Sequence, residues 1–324
     1  MQKAIFNIQT EQEFNKIALE VFKHQFTNNK VYRSFCDLLY VHPSDVKTVE
    51  QIPFLPIQFF KTHRILSGNK NPVITFESSG TTGSITSKHL VTDISVYKES
   101  YLKGFTHFYG NIEEYVVLAL LPNYLERKGS SLVFMVDDLI SKSKNQESGF
   151  YLHNLEELAQ KLIKLDKNRQ KTLLIGVSFA LLDLIEMQQF KLKNTIIMET
   201  GGMKGKRKEM VREELHTVLQ RGFGVPEIHS EFGMTELLSQ GYSSGKGIFK
   251  TPFWMKVLTR DTEDSLTINP SGKNGGINVI DLANYNSCSF IATQDLGKVH
   301  DNQTFEIIGR FDNSDIRGCN LMVL

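Results

Sequence analysis

Four short apolar runs constrain this chain more than any other feature: VITF at 73–76, YVVLALL at 115–121, TLLIGV at 172–177 and TIIMET at 195–200. Each ends at a polar or turn-like stretch, which predicts strands that are buried on both faces and largely parallel. Helical periodicity fills the intervals, from Asn154 to Leu165 and from Lys206 to Gln220, where Met210, Val211, Leu215, Val218 and Leu219 are the apolar positions. Strands alternating with helices predict an α/β fold with mixed, largely parallel sheets flanked by helices.

The flanks read differently. Thr10-Glu11-Gln12-Glu13 has the form of a capping box, and Phe14, Ile17, Ala18, Val21 and Phe22 follow at helical spacing, so the chain opens with an amphipathic helix. In TVEQIPFLPIQFFK, 48–61, Pro53 and Pro56 argue against regular pairing while the aromatics ask for burial, which predicts an extended segment crossing a groove. After residue 245 the helical period fades into short strands with Gly-rich turns, a β-rich lobe. SKSKNQES at 141–148 is the most polar stretch and reads as a mobile surface loop. One domain over 1–324 is expected, with a helical part over about 1–75, an α/β part over 76–245, and a β-rich lobe with a terminal tail over 246–324.

Charge and cysteine content narrow the function. The 324 residues carry 37 basic and 36 acidic side chains, net +1, so no global field recruits nucleic acid or anionic lipid. The three cysteines, Cys36, Cys288 and Cys319, are widely spaced and form no C-x-x-C pair, which suggests neither a disulfide framework nor a zinc site. No apolar run approaches a membrane span and no signal-peptide pattern opens the chain, so a cytoplasmic location is expected.

The candidate chemistry begins at Ser78-Ser79-Gly80-Thr81-Thr82-Gly83-Ser84-Ile85-Thr86-Ser87-Lys88. Glycines let backbone N–H groups approach an anion, and the hydroxyls add uncharged donors, so the stretch suits an oligophosphate; residue type alone favours a surface hairpin turn, because Ser, Gly and Thr are common turn residues. The P-loop spacing fails, because Ile85 stands where the second glycine is required. SSGTTG followed shortly by lysine does resemble the phosphate-loop motif of the acyl-adenylate-forming enzymes, and further elements of that superfamily follow in order. Gly201-Gly202 resembles its adenine-lining segment. Glu231-Phe232-Gly233-Met234-Thr235-Glu236 resembles its aromatic-Gly-x-Thr-Glu motif. Asp295 and the Arg310 of IIGRFDN match its ribose-binding aspartate and Gly-Arg hinge arginine.

That resemblance implies a set of roles. Ser79, Gly80, Thr81, Thr82 and Gly83 would cradle the ATP phosphates, Phe232 and Gly233 would meet the adenine beside Gly201 and Gly202, Thr235 would bind the α-phosphate, Glu236 would hold Mg²⁺, and Asp295 and Arg310 would bind the ribose side. His229, His89, Lys204, Lys206 and Arg207 are left outside the site. The usual Pro-Lys pair of the loop is replaced by Ile85-Thr86-Ser87-Lys88, which shifts the expected burden from a lysine to backbone and hydroxyl donors.

Within the superfamily the chain resembles the acyl-protein synthetases of the LuxE type, related to phenylacetate-CoA ligases. The similarity is carried by FKHQFTNNKVYRSFCD, IPFLPIQFFK, LLPNYLERKGSSLVFMV, METGGMKGKRKEM and GRFDNSDIRGCNLMVL. It implies the large domain of an adenylate-forming enzyme without the mobile C-terminal domain and its lysine, and a reaction that passes the acyl group of a carboxylic, fatty acid from the adenylate to Cys319 as a thioester. Acyl-reductase and acyltransferase proteins are the implied partners. Two other readings stand beside it: an acyl- or aryl-CoA ligase, with coenzyme A as acceptor, and a nucleotide-binding subunit without catalysis.

Overall fold

The expected alternation of strands and helices is met through the middle of the chain. The computed structural model describes residues 1–79, 85–122, 129–201, 207–208 and 210–310. Its strands are β1 (Leu55–Pro56), β2 (Ile74–Glu77), β3 (Lys88–Val91), β4 (Val116–Leu120), β5 (Gly149–Phe150), β6 (Thr172–Gly176), β7 (Thr195–Thr200), β8 (His229–Phe232), β9 (Gly241–Ser243), β10 (Phe249–Lys250), β11 (Met255–Arg260), β12 (Asn274–Asp281), β13 (Phe290–Val299) and β14 (Phe305–Arg310). All but β2 and β3 join one mixed sheet in the order β11-β12-β13-β14-β10-β9-β8-β7-β6-β4-β5, with β1 beside β13.

From β5 to β8 the neighbours are parallel, and from β8 to β11 they are antiparallel. The helices Ser131–Ser143, Leu155–Lys167, Ser178–Met187 and Arg212–Phe223 make the crossovers that parallel pairing requires. Every residue of β4 and β6 is buried, as their continuous apolar text predicted. The β-rich lobe after residue 245 is present as β10 to β14.

Several expectations are corrected. VITF is not a parallel strand of the main sheet: β2 pairs antiparallel with β3 in a separate hairpin, Ile74 opposite Val91 and Glu77 opposite Lys88. Pro56 does not prevent pairing, because β1 aligns parallel to Ile291 and Ala292, and the donor needed next is the Ile57 N–H, which bonds the Ala292 carbonyl. The helix expected over 206–220 spans Arg212–Phe223; Met210 and Val211 precede it, and Val211 and Val218 are exposed. SKSKNQES is a tied turn: its first three residues close the helix Ser131–Ser143, Ser143 and Ser148 share a hydroxyl bond of 2.8 Å, Ser148 accepts from Val117 N–H, and Glu147 pairs with Lys161 and Lys164.

The opening helix, Glu11–Asn28, forms as expected, with the Thr10–Glu13 capping box closed. Its buried face meets the lobe at Phe290, whose ring packs on Phe22, Tyr32 and Phe54. Gln25 adds a polar lock, donating to the Asn284 carbonyl and accepting from Ser289 N–H. The helical start and the lobe are therefore one packed body. Phe290→Ala is expected to cost about 3–5 kcal/mol in urea-induced unfolding; a loss under about 1 kcal/mol would mean that this cluster does not join the two parts.

Candidate functional site

Parallel strands with helical crossovers bring the carboxyl ends of β4, β6, β7 and β8 to one edge, the place where open α/β sheets receive ligands. Two of the motifs noted in the sequence lie there. β7 ends at Thr200-Gly201, and β8 runs directly into Phe232-Gly233-Met234-Thr235-Glu236. Gly201 has φ +64°, a conformation that favours glycine, and its carbonyl accepts from the Ser178 hydroxyl at 3.0 Å.

The two ends of the Ser78–Lys88 stretch belong to the β2–β3 hairpin, where Ser78 N–H bonds the Ser87 carbonyl and Ser87 N–H bonds the Ser78 hydroxyl. Ser79 is exposed there. Gly80, Thr81, Thr82 and Gly83 lie outside the described residues, as do Gly202 and Cys319. Lys88 faces its cross-strand neighbour Glu77 at 4.0 Å, both side chains solvated.

Glu236 is the point on which the distant elements converge. Its buried carboxyl is raised by desolvation, a shift opposed by a hydrogen bond with Ser87 and by the charges of Arg310 and Lys61. Arg310 and Asp295 are direct partners across β13 and β14, with Nε 4.0 Å from the carboxylate. Burial lifts Asp295 to about 6 against the pull of Arg310, and the charge of Glu236 adds to the rise. The structure thus brings Thr235, Glu236, Asp295, Arg310 and the hairpin base together.

Phe232 is placed differently from an open stacking platform. It is buried, with its ring edge-on to Phe249 and Phe305 at 6.1 and 5.3 Å. A Cβ at Gly233 would crowd the Glu231 carboxylate oxygen, so a larger residue there would have to displace that side chain. Cys36 and Cys288 are buried, and desolvation pushes both thiols up to about 12, which suppresses their thiolates. Arg207 is engaged by Asp183 and Glu186. His229 Nδ1 shares a hydrogen bond of 3.2 Å with the Tyr109 hydroxyl, and burial lowers the imidazole below its usual range.

Three residues near the site carried no role in the sequence reading. Lys61, from IPFLPIQFFK, acts on Glu236 through its charge, and Ser87 bonds it. Glu231 accepts from the Thr200 hydroxyl at 2.6 Å. Burial and the nearby charge of Glu199 raise the Glu231 carboxyl to about 7. Its position inside the quoted motif was a signal, but its half-buried place on β8 between β7 and β9 was not readable. Glu199 is buried, yet the approach of His216 Nε2 to 3.5 Å and the charge of Arg212 outweigh desolvation and hold it below the usual range.

The family model of the acyl-protein synthetase LuxE matches residues 4–107, which establishes the similarity over the helical start, β1 and the hairpin. A curated relative, the long-chain-fatty-acid–luciferin-component ligase of Photorhabdus luminescens, is 33% identical over 69 residues, 21% of this chain and 59% of that protein. Among solved structures, 2-hydroxyisobutyryl-CoA ligase in an open conformation with 2-HIB-AMP and CoA aligns over 94% of this chain and 70% of its own, at 11% identity and TM-score 0.67. ATP-bound MatB from Rhodopseudomonas palustris aligns over 73% of this chain and 47% of its own, at 16% identity and TM-score 0.53. The long-chain-fatty-acid-CoA ligase FadD1 of Archaeoglobus fulgidus covers 73% and 51%, at 14% identity and TM-score 0.53. The chain therefore has the fold of the adenylate-forming ligases, while spanning less than two thirds of the curated relative and of MatB.

Glu231 gives a direct electrostatic test. Its ordinary value is 4.5 and its folded value about 7, so both states hold the proton below 4.5, and between the two values only the folded state does. Its contribution to stability is therefore present in acid and lost as pH rises through 7. Glu231→Gln keeps an acceptor for Thr200 and removes the titration. Urea unfolding is expected to show the variant gaining on the parent between pH 5 and pH 8 by about 3 kcal/mol; a constant difference would place the Glu231 carboxyl in an ordinary environment.

Proposed function

We propose that this chain activates a carboxylic acid, a fatty acid by its family likeness, as the acyl-adenylate and passes the acyl group to Cys319. The observation that carries this reading is the pairing of Asp295 with Arg310 across β13 and β14, close enough to the Thr235–Glu236 segment for the charges of Asp295 and Glu236 to act on each other, while His89 of the hairpin bonds the Thr235 carbonyl. The match to the LuxE family model and the adenylate-forming fold support it.

In the first half-reaction a substrate carboxylate oxygen bonds the α-phosphorus of ATP, and the bond from that phosphorus to the pyrophosphate oxygen breaks. Such a step is driven by positioning and charge stabilisation. Thr235 would bond the α-phosphate, the hairpin loop with Ser79, Gly80, Thr81, Thr82 and Gly83 would hold the departing phosphates, and Asp295 with Arg310 would orient the ribose. Gly201, Gly202, Phe232 and Gly233 would bound the adenine pocket, with Phe232 acting from the wall given its packing. In the second half-reaction the Cys319 thiolate bonds the acyl carbon and AMP leaves with the electron pair.

The donor set fits Mg²⁺: Glu236 offers one carboxylate, and this ion characteristically takes one or two together with phosphate oxygens and water. When bound it supplies positive charge to the phosphates. Glu236 would hold the cation, and Lys61 would contribute a weaker positive charge to the same carboxylate. Acyl-reductase and acyltransferase proteins are the partners this product would serve.

The test is incubation with ATP, Mg²⁺ and a panel of labelled carboxylic acids, read by pyrophosphate exchange and intact mass. The wild type is expected to exchange and to carry a hydroxylamine-labile label, Cys319→Ser to exchange without label, and Thr235→Ala to lose about 10²–10³-fold in exchange rate. Exchange with no label on the wild type would move the acceptor to coenzyme A, and no exchange with any acid would leave a nucleotide-binding subunit.

A further inference from the structure

From the half-buried Thr235 to the buried Ser239 the chain belongs to no strand, and apart from the Leu237 N–H, which bonds the Met234 carbonyl, its peptide groups need partners from elsewhere. They come from side chains. His89 Nδ1 donates to the Thr235 carbonyl at 2.8 Å, and Asn284 Nδ2 donates to the Glu236 carbonyl at 2.7 Å. Asp281 accepts from Leu238 N–H, Ser239 N–H and the Ser239 hydroxyl at 2.7, 3.0 and 2.6 Å.

The same side chains leave an unbalanced remainder. His89 Nε2, Asn284 Oδ1 and Thr92 Oγ1 are buried without a hydrogen-bond partner among the described residues. All three residues line one cavity of about 10 Å³, walled by Leu238, Ala283 and Ser287, which is the size of about one water. The chemistry of the three atoms fits such a guest. With Nδ1 donating, Nε2 is an acceptor; Asn284 Oδ1 is an acceptor; the Thr92 hydroxyl can donate. One water gives two hydrogens and takes one, which satisfies all three, whereas three orphaned groups would each carry an uncompensated desolvation penalty. His89 is wholly buried with its ring edge-on to Phe60, and desolvation pushes it down to about 4, so it stays in the neutral form that this arrangement needs.

We propose that His89 and Asn284, joined by one buried water with Thr92, are positioning residues that fix the Thr235–Glu236 backbone for the nucleotide. This rests on the adenylating role given above for Thr235 and Glu236. His89 lies on β3, so the brace also couples the phosphate-loop hairpin to the Thr-Glu motif: a shift of either is felt by the other.

The experiment compares wild type, His89→Phe and His89→Asn, the last keeping a donor amide near the place of Nδ1. Exchange kinetics are expected to show His89→Phe lowered about 30–100-fold in kcat with little change in KM for ATP, and His89→Asn restored to within about fivefold of wild type. Equal losses in both variants, or none in folded His89→Phe, would overturn the positioning role. Imidazole ¹⁵N NMR of the wild type decides the brace without activity, and so separates it from failure of the adenylating reading or of the variant to fold. A neutral Nδ1–H tautomer with a cross-peak to a slowly exchanging water at pH 7 supports it; an Nε2–H tautomer or no such water overturns it.

Discussion

The site depends on how one buried segment of backbone satisfies its hydrogen bonds. Leaving β8 at Phe232, the chain turns at the exposed Gly233 and runs buried from Glu236 to Gln240 before rejoining the sheet at Gly241, and for that buried interval no strand backbone among the described residues supplies partners. An unpaired peptide group in such a place costs as much as a lost hydrogen bond, so side chains have to take over. They come from β3, from the end of β12 and from the 3₁₀ turn Leu282–Asn286. A local requirement of the backbone therefore ties the hairpin, the Thr-Glu motif and the β-rich lobe into one unit.

Asp281 shows the energetic character of this bond set. Burial raises its carboxyl to about 6, even though a hydroxyl and three backbone N–H groups bond it. Asp295, Glu231 and Glu236 are raised in the same direction by the same cause. Of these, Asp295 and Glu236 act on each other, and their charged forms would be favoured by an entering cation or hydroxyl-rich ligand, which supplies what solvent no longer does. Arg310 and Lys61 temper that field without filling the need of the buried groups, since Arg310 is itself largely solvated.

Much of the fold was legible because its text is unambiguous. TLLIGV and TIIMET are wholly or mostly buried parallel strands, and the Thr10–Glu13 box caps the helix it announced. VITF misled because a short apolar run cannot distinguish a buried parallel strand from one arm of a hairpin packed on a helix. Pro56 misled because a two-residue strand can leave its imide outside the ladder. Of the site, the order of motifs was readable, and the structure brings Thr235, Glu236, Asp295 and Arg310 together. His89, Asn284 and Asp281 were not, because their roles arise from contacts over 43 to 146 residues of separation, and no local spacing encodes those. Phe232 carries two demands at once, a motif position and a place in the Phe249–Phe305 cluster, and only the second depends on tertiary packing.

The central claim is that the cluster around Thr235, Glu236, Asp295 and Arg310 is one nucleotide site. It is tested most directly by a crystal structure with a non-hydrolysable acyl-adenylate analogue, a fatty acyl sulfamoyl adenosine. The account predicts the sulfamoyl group within hydrogen-bond distance of Thr235, the ribose hydroxyls on Asp295, and the phosphate-loop hairpin beside the vacated pyrophosphate position. An analogue bound away from β8 and β13, or turned so that its ribose meets neither Asp295 nor Arg310, would contradict it.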